Sequence, residues 1–413
     1  MPIGGGCIVI GLTGAFGSGC TVGARHLHHE RQFEHVRLSN VLRGTWGSET
    51  EPSRQDLQRA GDDYRREHGP GALVDAAVAQ LDQGEPTIER LVVDGIRNLG
   101  EIEALRSRFG YRFTLLAILA SPQDRWTRIG DEQYRDKGLG EDDFFADDNR
   151  DRNEETPQGQ QVELCIDVSD IFIKNTSDVL LPDYKEKVLR FVDLATGTTM
   201  RPPERDEIFM HMAYSASHSS RCLKRHVGAV IRDADGEAIS VGYNENPMGT
   251  SPCVDEEAYG GRCFRDIVRN RVLRQLHHAG MRCPACGEAL PEISGPPWRC
   301  SSCEAAGRKT DLEAVFFPDR AMNWCTAIHA EDRAIQAAAG RPLRGSTLYT
   351  TTFPCFQCAE KIIQVGISEV VFTEVYPDIW ADERLELANI ECRWFEGVRS
   401  SAFERLFAPV RPS

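Results

Sequence analysis

The sequence lacks any uninterrupted apolar run of the length a membrane span requires, which excludes a bilayer-crossing helix on length alone. It is short of positive charge as well. Its 48 Lys and Arg stand against 63 Asp and Glu, a formal net charge of -15 that repels polyanions and disfavours a long nucleic-acid footprint. Free nucleotides remain compatible with that balance. The opening residues, MPIGGGCIVIGLTG, lack the basic segment of a secretory signal, and neither an internal repeat nor a long low-complexity tract is found. A secreted disulfide framework is also missing. Most of the fourteen cysteines sit in CxxC pairs or near histidine, as metal ligands in a reducing compartment do. At 413 residues the expectation is a soluble cytoplasmic protein of two domains, 1–200 and 201–413.

What is present is concentrated in His329-Ala330-Glu331 and in Pro354-Cys355-Phe356-Gln357-Cys358. One imidazole and two thiolates one helical turn apart fill three corners of a zinc tetrahedron and leave the fourth for water. Glu331 lies two residues from the ligand His329, where a carboxylate that does not bind metal can move protons. A closed structural site would need a fourth ligand, and this spacing offers a glutamate instead. The set resembles that of the zinc nucleobase deaminases.

In the N-terminal half, an apolar run from Cys7 to Leu12 stops at Gly14-Ala15-Phe16-Gly17-Ser18-Gly19-Cys20-Thr21, where a helix is expected. This is the strand, loop and helix order of a phosphate-binding P-loop, except that Cys20 stands where lysine belongs. Backbone N–H groups and a helix N-terminus can still cradle phosphate, and Thr21 can still meet magnesium, but the charge that follows a transferring phosphoryl group is gone. The bland alternative is a glycine turn without ligand. Further strands are expected at 90–95, ending in Asp94 as a Walker-B-like residue, at 113–120 and at 171–175, with helices beginning within 121–128 and over 182–194. That alternation points to a parallel sheet covered on both faces. The half resembles the nucleoside-monophosphate kinase group, whose arginines grip phosphates. Arg43, Arg97, Arg125 and Arg128 lie in suitable places, although solvated surface arginine is the commoner reading. The acid-rich Asp131–Gln161 reads as a mobile lid or solvated surface excursion, and Thr196–Pro203 as the interdomain linker.

In the C-terminal half, a helix over 206–216 precedes a hairpin of strands 227–232 and 238–243. The runs CLKRHVGAVI, SVGYNENPMGTSPC, CTAIHAEDRAI and TLYTTTFPCFQCAEKIIQVGI are similar, in order and spacing, to the deoxycytidylate deaminase family over most of 204–409. The resemblance implies that His329, Cys355 and Cys358 hold the catalytic zinc and that Glu331 shuttles protons. It also implies that Asn244 holds the sugar 3′-hydroxyl and that Lys224 and Arg225 are candidate phosphate contacts. Taken alone, Asn244 is a turn residue and the two cations are surface residues. Where the family usually has glycine after the asparagine, this chain has Glu245, which weakens any transfer of the family's control by deoxycytidine and thymidine triphosphates. Cys283, Cys286, Cys300 and Cys303 form two knuckles able to close a four-thiolate structural zinc site in an insertion at about 280–306. Cys222, Cys253, Cys263 and Cys325 are either a further structural zinc site, as in some related deaminases, or ordinary buried thiols.

The fold class expected is therefore α/β: a P-loop NTPase-like parallel-sheet domain, then a cytidine-deaminase-like α/β/α domain with a zinc-knuckle insertion. The pairing resembles the two-domain antiphage deoxycytidine nucleotide deaminases of bacteria. That resemblance implies deamination of free dCMP or dCTP in defence and an inhibitory small RNA, while the lysine-less glycine loop with Thr21 points to a regulatory nucleoside triphosphate with Mg2+ at the first domain. A homo-oligomer is expected. Three alternatives stand beside it: a bifunctional salvage kinase and deaminase, which Cys20 opposes; a nucleic-acid cytidine deaminase, which the acidity opposes; and a regulatory protein with a dead site, which the complete His-Glu-Cys-Cys set opposes.

Overall fold

The computed structural model describes residues 3–44, 46, 52–81, 87–135, 139–152, 158–268, 270–271, 283, 285–288, 298–303, 306–307, 325–374 and 379–407. The chain divides into two units, residues up to His211 with those from Trp394 onward, and Met212–Arg393. Part of the insertion expected at about 280–306 lies outside the described residues, as do 136–138 and 153–157 of the acid-rich stretch.

In the first unit, strands β1 (Ile3–Thr13), β2 (Glu34–Arg37), β3 (Ile88–Ile96), β4 (Phe113–Leu119) and β5 (Ile171–Lys174) are parallel neighbours. The order across the sheet is β13-β5-β4-β1-β3-β2, with β13 (Gly397–Val398) antiparallel to β5. Helices α1 (Cys20–Arg31), α2 (Leu38–Gly44), α3 (Arg54–His68), α4 (Ala72–Leu81), α5 (Leu99–Phe109), α6 (Pro122–Gln133), α7 (Glu141–Arg152), α8 (Val162–Asp167) and α9 (Leu181–Ala195) alternate with the strands. The sheet is apolar on both faces because it has a core on each. Leu91 and Val93 pack with Leu73, Leu105 and Phe109 on one side, while their neighbour Val92 packs with Leu27, Tyr184 and Phe191 on the other. Such two-sided burial is what the near-continuous runs of β3 and β4 encode.

Two expectations differ from what is found. The division does not fall at 200/201, since residues 201–211 and the tail from Trp394 belong to the first unit. The reason is the tail's own chemistry: β13 pairs with the β5 edge, and Val398 and Ala402 sit in the core with Leu27 and Phe191. Ala402 belongs to α14 (Ser400–Phe407). The acid-rich stretch is likewise not simply a solvated face, because α7 buries Phe144 against Trp126 and Tyr134. Its Asp148 is buried too, which is tolerated because Arg125 meets both carboxylate oxygens at 2.6 and 2.7 Å.

The second unit is built on a five-stranded sheet in the order β12-β11-β10-β6-β7. Strands β6 (Gly228–Arg232) and β7 (Ala238–Tyr243) form the hairpin anticipated from the turn residues, and β6 runs antiparallel to β10 (Thr347–Thr352). Strand β10 is parallel to β11 (Glu369–Glu374), and β12 spans Glu391–Trp394. A two-residue ladder, β8 (Trp298–Arg299) with β9 (Ala306–Gly307), closes the cysteine-bearing insertion. Helix α10 (Arg205–Ser217) leads in, and α11 (Ala330–Ala337), α12 (Phe356–Val365) and α13 (Ile379–Leu387) follow. Helix α11 lies close on β7 because Gly242 has no side chain; a Cβ there would come within 2.2 Å of the Ala330 carbonyl oxygen. Among the described residues no helix is long and apolar enough to cross a membrane.

Candidate active site

Two helix starts of the second unit assemble the zinc motif, one after the isolated bridge at Ile328 and one after β10. His329 is the N-cap of α11 and Cys355 the N-cap of α12, each with extended backbone that turns into helix one residue later. Cys358, three residues on, lies on the same side of the first turn as Cys355. Helix α12 stops at Gly366, whose left-handed φ of 79° suits glycine. Two helix N-termini therefore face the site, and their exposed N–H dipoles favour thiolate over thiol.

His329 Nδ1 lies 3.3 Å from each of Cys355 Sγ and Cys358 Sγ. Around a tetrahedral zinc, ligand atoms of this kind stand about 3.5–3.8 Å apart, given Zn–N and Zn–S bonds of about 2.0 and 2.3 Å. The donor set thus fits zinc, with three protein ligands and one open position. Hydrogen bonding from Cys358, and then His329, push the Cys355 thiol down to about 4. Burial pushes the Glu331 carboxyl up to about 7, against the opposing pull of the His329 charge. A buried carboxyl with acidity near neutrality can both take and give a proton at physiological pH.

The four knuckle cysteines also converge. Cys283 and Cys303 sulfurs are 3.6 Å apart, as are those of Cys286 and Cys300, close to the edge of a zinc–sulfur tetrahedron. Cys222, Cys253, Cys263 and Cys325 do not: they line one cavity, with Asn244, but among the described residues only the two sets above bring three or more His, Cys, Asp or Glu ligand atoms within 4.8 Å of one another. Asn244 is buried, and both ends of its amide are engaged with main chain. Its Oδ1 accepts from Val227 N at 2.7 Å and its Nδ2 donates to Arg225 O at 2.9 Å. Lys224 and Arg225 are half-exposed and face carboxylates, Asp266 at 2.6 Å and Glu374 at 3.8 Å.

In the first unit the loop Gly14–Cys20 joins β1 to α1, with Gly14, Gly17 and Gly19 at φ of 155°, 85° and 111°. Thr21 donates to Asp94 Oδ2 at 2.7 Å. The fully buried Ser18 gives its carbonyl to Asn175 Nδ2 at 2.7 Å, and Cys20 Sγ lies 3.4 Å from Ser18 Oγ. Burial and the Asp94 carboxylate push the Cys20 thiol up to about 12. Arg125 and Arg128 are structural here, the first against Asp148 and the second against Asn175 O at 2.6 Å, and Arg97 reaches Gln160 at 3.1 Å. His35 and Arg37, 3.6 and 3.9 Å from Asp94, were not anticipated. They come from β2, whose pairing with β3 sets Arg37 opposite Asp94, a register no local motif announces.

A family model described as the cytidine and deoxycytidylate deaminase zinc-binding region matches residues 203–374. The chain is similar to the deoxycytidylate deaminase of Enterobacteria phage T4, 30% identical over 190 residues, or 44% of this chain and 87% of the phage protein. It is 28% identical to that of Schizosaccharomyces pombe over 238 residues, 57% of each chain, and 28% identical to that of Saccharomyces cerevisiae over 202 residues, 49% of this chain and 45% of the other. The chain thus spans about half the length of these two yeast relatives. A crystal structure of the dCMP deaminase from cyanophage S-TIM5 with dCMP and dUMP aligns at 20% identity over 47% of this chain and 99% of that one, with a TM-score of 0.28.

Proposed function

Because the chain belongs to the cytidine and deoxycytidylate deaminase family, we propose that it hydrolytically deaminates free deoxycytidine nucleotides, dCMP or dCTP, to deoxyuridine nucleotides. The observation that carries this reading is Glu331, buried beside a three-ligand zinc set with its acidity moved to about 7. His329, Cys355 and Cys358 would hold the zinc. Bound there, zinc supplies the Lewis acidity that makes water nucleophilic near neutral pH. Glu331, ionised, takes the proton of the water that adds at C4 of the base. It passes that proton to the ring nitrogen N3, then takes the second proton from the new C4 hydroxyl and hands it to the departing amine as C=O forms and C–N breaks, so that water enters and ammonia leaves. Asn244, Lys224 and Arg225 remain the proposed contacts to sugar and phosphate, the two cations exchanging their carboxylate partners for the ligand. Purified protein offered dCMP, dCTP, CTP and single-stranded DNA, with ammonia release as the readout, tests the reading. Release from DNA alone, or from none of the four, overturns it.

The proposal extends to the first unit as a P-loop NTPase-like domain that binds a nucleoside triphosphate with Mg2+ and regulates deamination without consuming the nucleotide. Support comes from the glycine loop between β1 and α1 and from the Thr21–Asp94 bond, the pair that would meet magnesium. Cys20, neutral and short, cannot replace the lysine charge on which phosphoryl transfer depends. Depletion of deoxycytidine nucleotides in antiphage defence, held in check by a small RNA, is the cellular role that fits this pairing. Brisk ATP-dependent phosphorylation of a deoxynucleoside monophosphate by the full chain is the result that overturns the sensing role.

A further inference from the structure

Helix α11 carries His329 at its N-cap and Glu331 in its first turn, and the next two residues reach opposite neighbours. Asp332 receives the ammonium of Lys361 from α12, three residues past the ligand Cys358. Arg333 receives the carboxylate of Glu245, two residues beyond the end of β7, and its guanidinium lies 4.3 Å from the Tyr243 ring centre. Glu245 holds the segment a second time through its main chain, giving its N–H to Ile328 O at 3.1 Å and accepting from Ile328 N at 2.8 Å. Ile328 immediately precedes His329. One residue, Glu245, therefore grips the chain on both sides of the ligand histidine. Ser240 adds a bond to the Ala334 carbonyl at 2.7 Å.

The magnitudes argue against reading these pairs as stability devices. Lys361, Arg333 and Glu245 keep about a third to a half of their side-chain surface in water, and ion pairs so exposed add little to stability. Geometry is more demanding. The ligands stand on two helices, so the His329–sulfur distances depend on where α11 lies against α12, and Glu331 must meet the reacting atoms from a fixed height. Groups that orient ligands from behind are worth about 10–100-fold in metal affinity or activity, although they touch neither metal nor substrate. We propose that Asp332–Lys361 and Glu245–Arg333 are positioning pairs that brace α11 between α12 and the end of β7, fixing His329 and Glu331 for zinc retention and proton transfer. The inference rests on the deaminase reading above, but its metal readout does not.

The experiment uses the zinc-loaded full chain. Lys361→Met and Glu245→Gln are compared with the charge-keeping Lys361→Arg and Glu245→Asp for zinc loss to a chelator, kcat and KM on dCMP, and Tm. The neutralising variants are expected to lose the active-site zinc about tenfold faster and to lower kcat about tenfold. KM should stay within about twofold and Tm within about 2 °C, while the charge-keeping variants stay close to wild type. Zinc loss and kcat both unchanged in the neutralising variants overturn the proposal. So does a rise in KM at constant kcat, which makes these residues ligand contacts, or a loss of kcat that merely follows Tm. A wild-type protein inert on every cytosine nucleotide sinks the deaminase reading instead, and the zinc-loss comparison still decides whether the pairs brace the site.

Discussion

Each unit places a cysteine where a strand hands over to a helix, and the two thiols are driven in opposite directions. Cys20 opens α1 and is pushed up to about 12; Cys355 caps α12 and is pushed down to about 4. Both feel a helix N-terminus, worth roughly 0.3–1 kcal/mol, so the dipole cannot be what separates them. Their neighbours do. Cys20 is buried beside the Asp94 carboxylate with the Ser18 hydroxyl 3.4 Å from its sulfur, whereas Cys355 has the Cys358 thiol and the His329 imidazole at hand. One thiol is a neutral filler at the first position of its helix, and the other, at an N-cap, stands beside two further donors. A cysteine at a helix start is thus not a site until a second and third donor stand within reach.

The sharpest way to strain that contrast is to remove the acid/base from the site that has donors. Glu331→Gln should lower turnover by about 10^3-fold or more while zinc content stays at wild-type level, since the carboxylate moves protons and does not bind the metal. Turnover near the wild-type rate would sink the mechanism. Next in size is thiol reactivity. In metal-stripped protein at pH 7, mass-mapped alkylation should modify Cys355 at least about 100-fold faster than Cys20, whose thiolate is roughly one part in 10^5 at that pH. The Cys20 rate should climb about tenfold per pH unit towards 12, while the Cys355 rate is flat above about pH 5. Comparable rates at pH 7 would erase the difference. Returning charge to the loop comes third. Cys20→Lys should tighten ATP binding about tenfold by calorimetry and leave the zinc content untouched, and unchanged affinity would mean that the loop does not meet phosphate. The smallest effect concerns the knuckle. Cys283→Ser should reduce zinc by one equivalent and lower Tm by a few degrees, with kcat falling only as far as folding does; undiminished zinc would remove the four cysteines from the metal count.

The zinc motif was legible because its parts are local. His329 and Glu331 are two residues apart and Cys355 and Cys358 three, so a single turn of helix fixes each pair. The strands β1, β3, β4 and β5 were legible for a similar reason, their apolar runs being bounded by glycine, aspartate or proline. Other features depend on partners that sequence spacing does not announce. Strand β2, Glu-His-Val-Arg, is half-buried at every position and shows no alternation. Phe144 sits among acidic residues and finds its aromatic pocket only when α7 folds onto α6. Asn244 carried a residue-type expectation, yet its amide is occupied by the 225–227 backbone, a use that depends on how the β6–β7 hairpin closes. Glu245 and Arg333 are 88 positions apart, and nothing in either neighbourhood marks the other.

The two-residue strand Gly397–Val398 has a consequence for how the protein is made. The β5 edge it covers emerges from the ribosome more than 220 residues earlier. At a synthesis rate of about 5–20 residues per second, that edge waits roughly 10–45 s for its partner. Open strand edges invite pairing with other chains, so the newborn first unit passes through an interval in which it is sticky and unfinished. The deaminase segment is translated inside that interval, and its own completion delivers the strand that ends it.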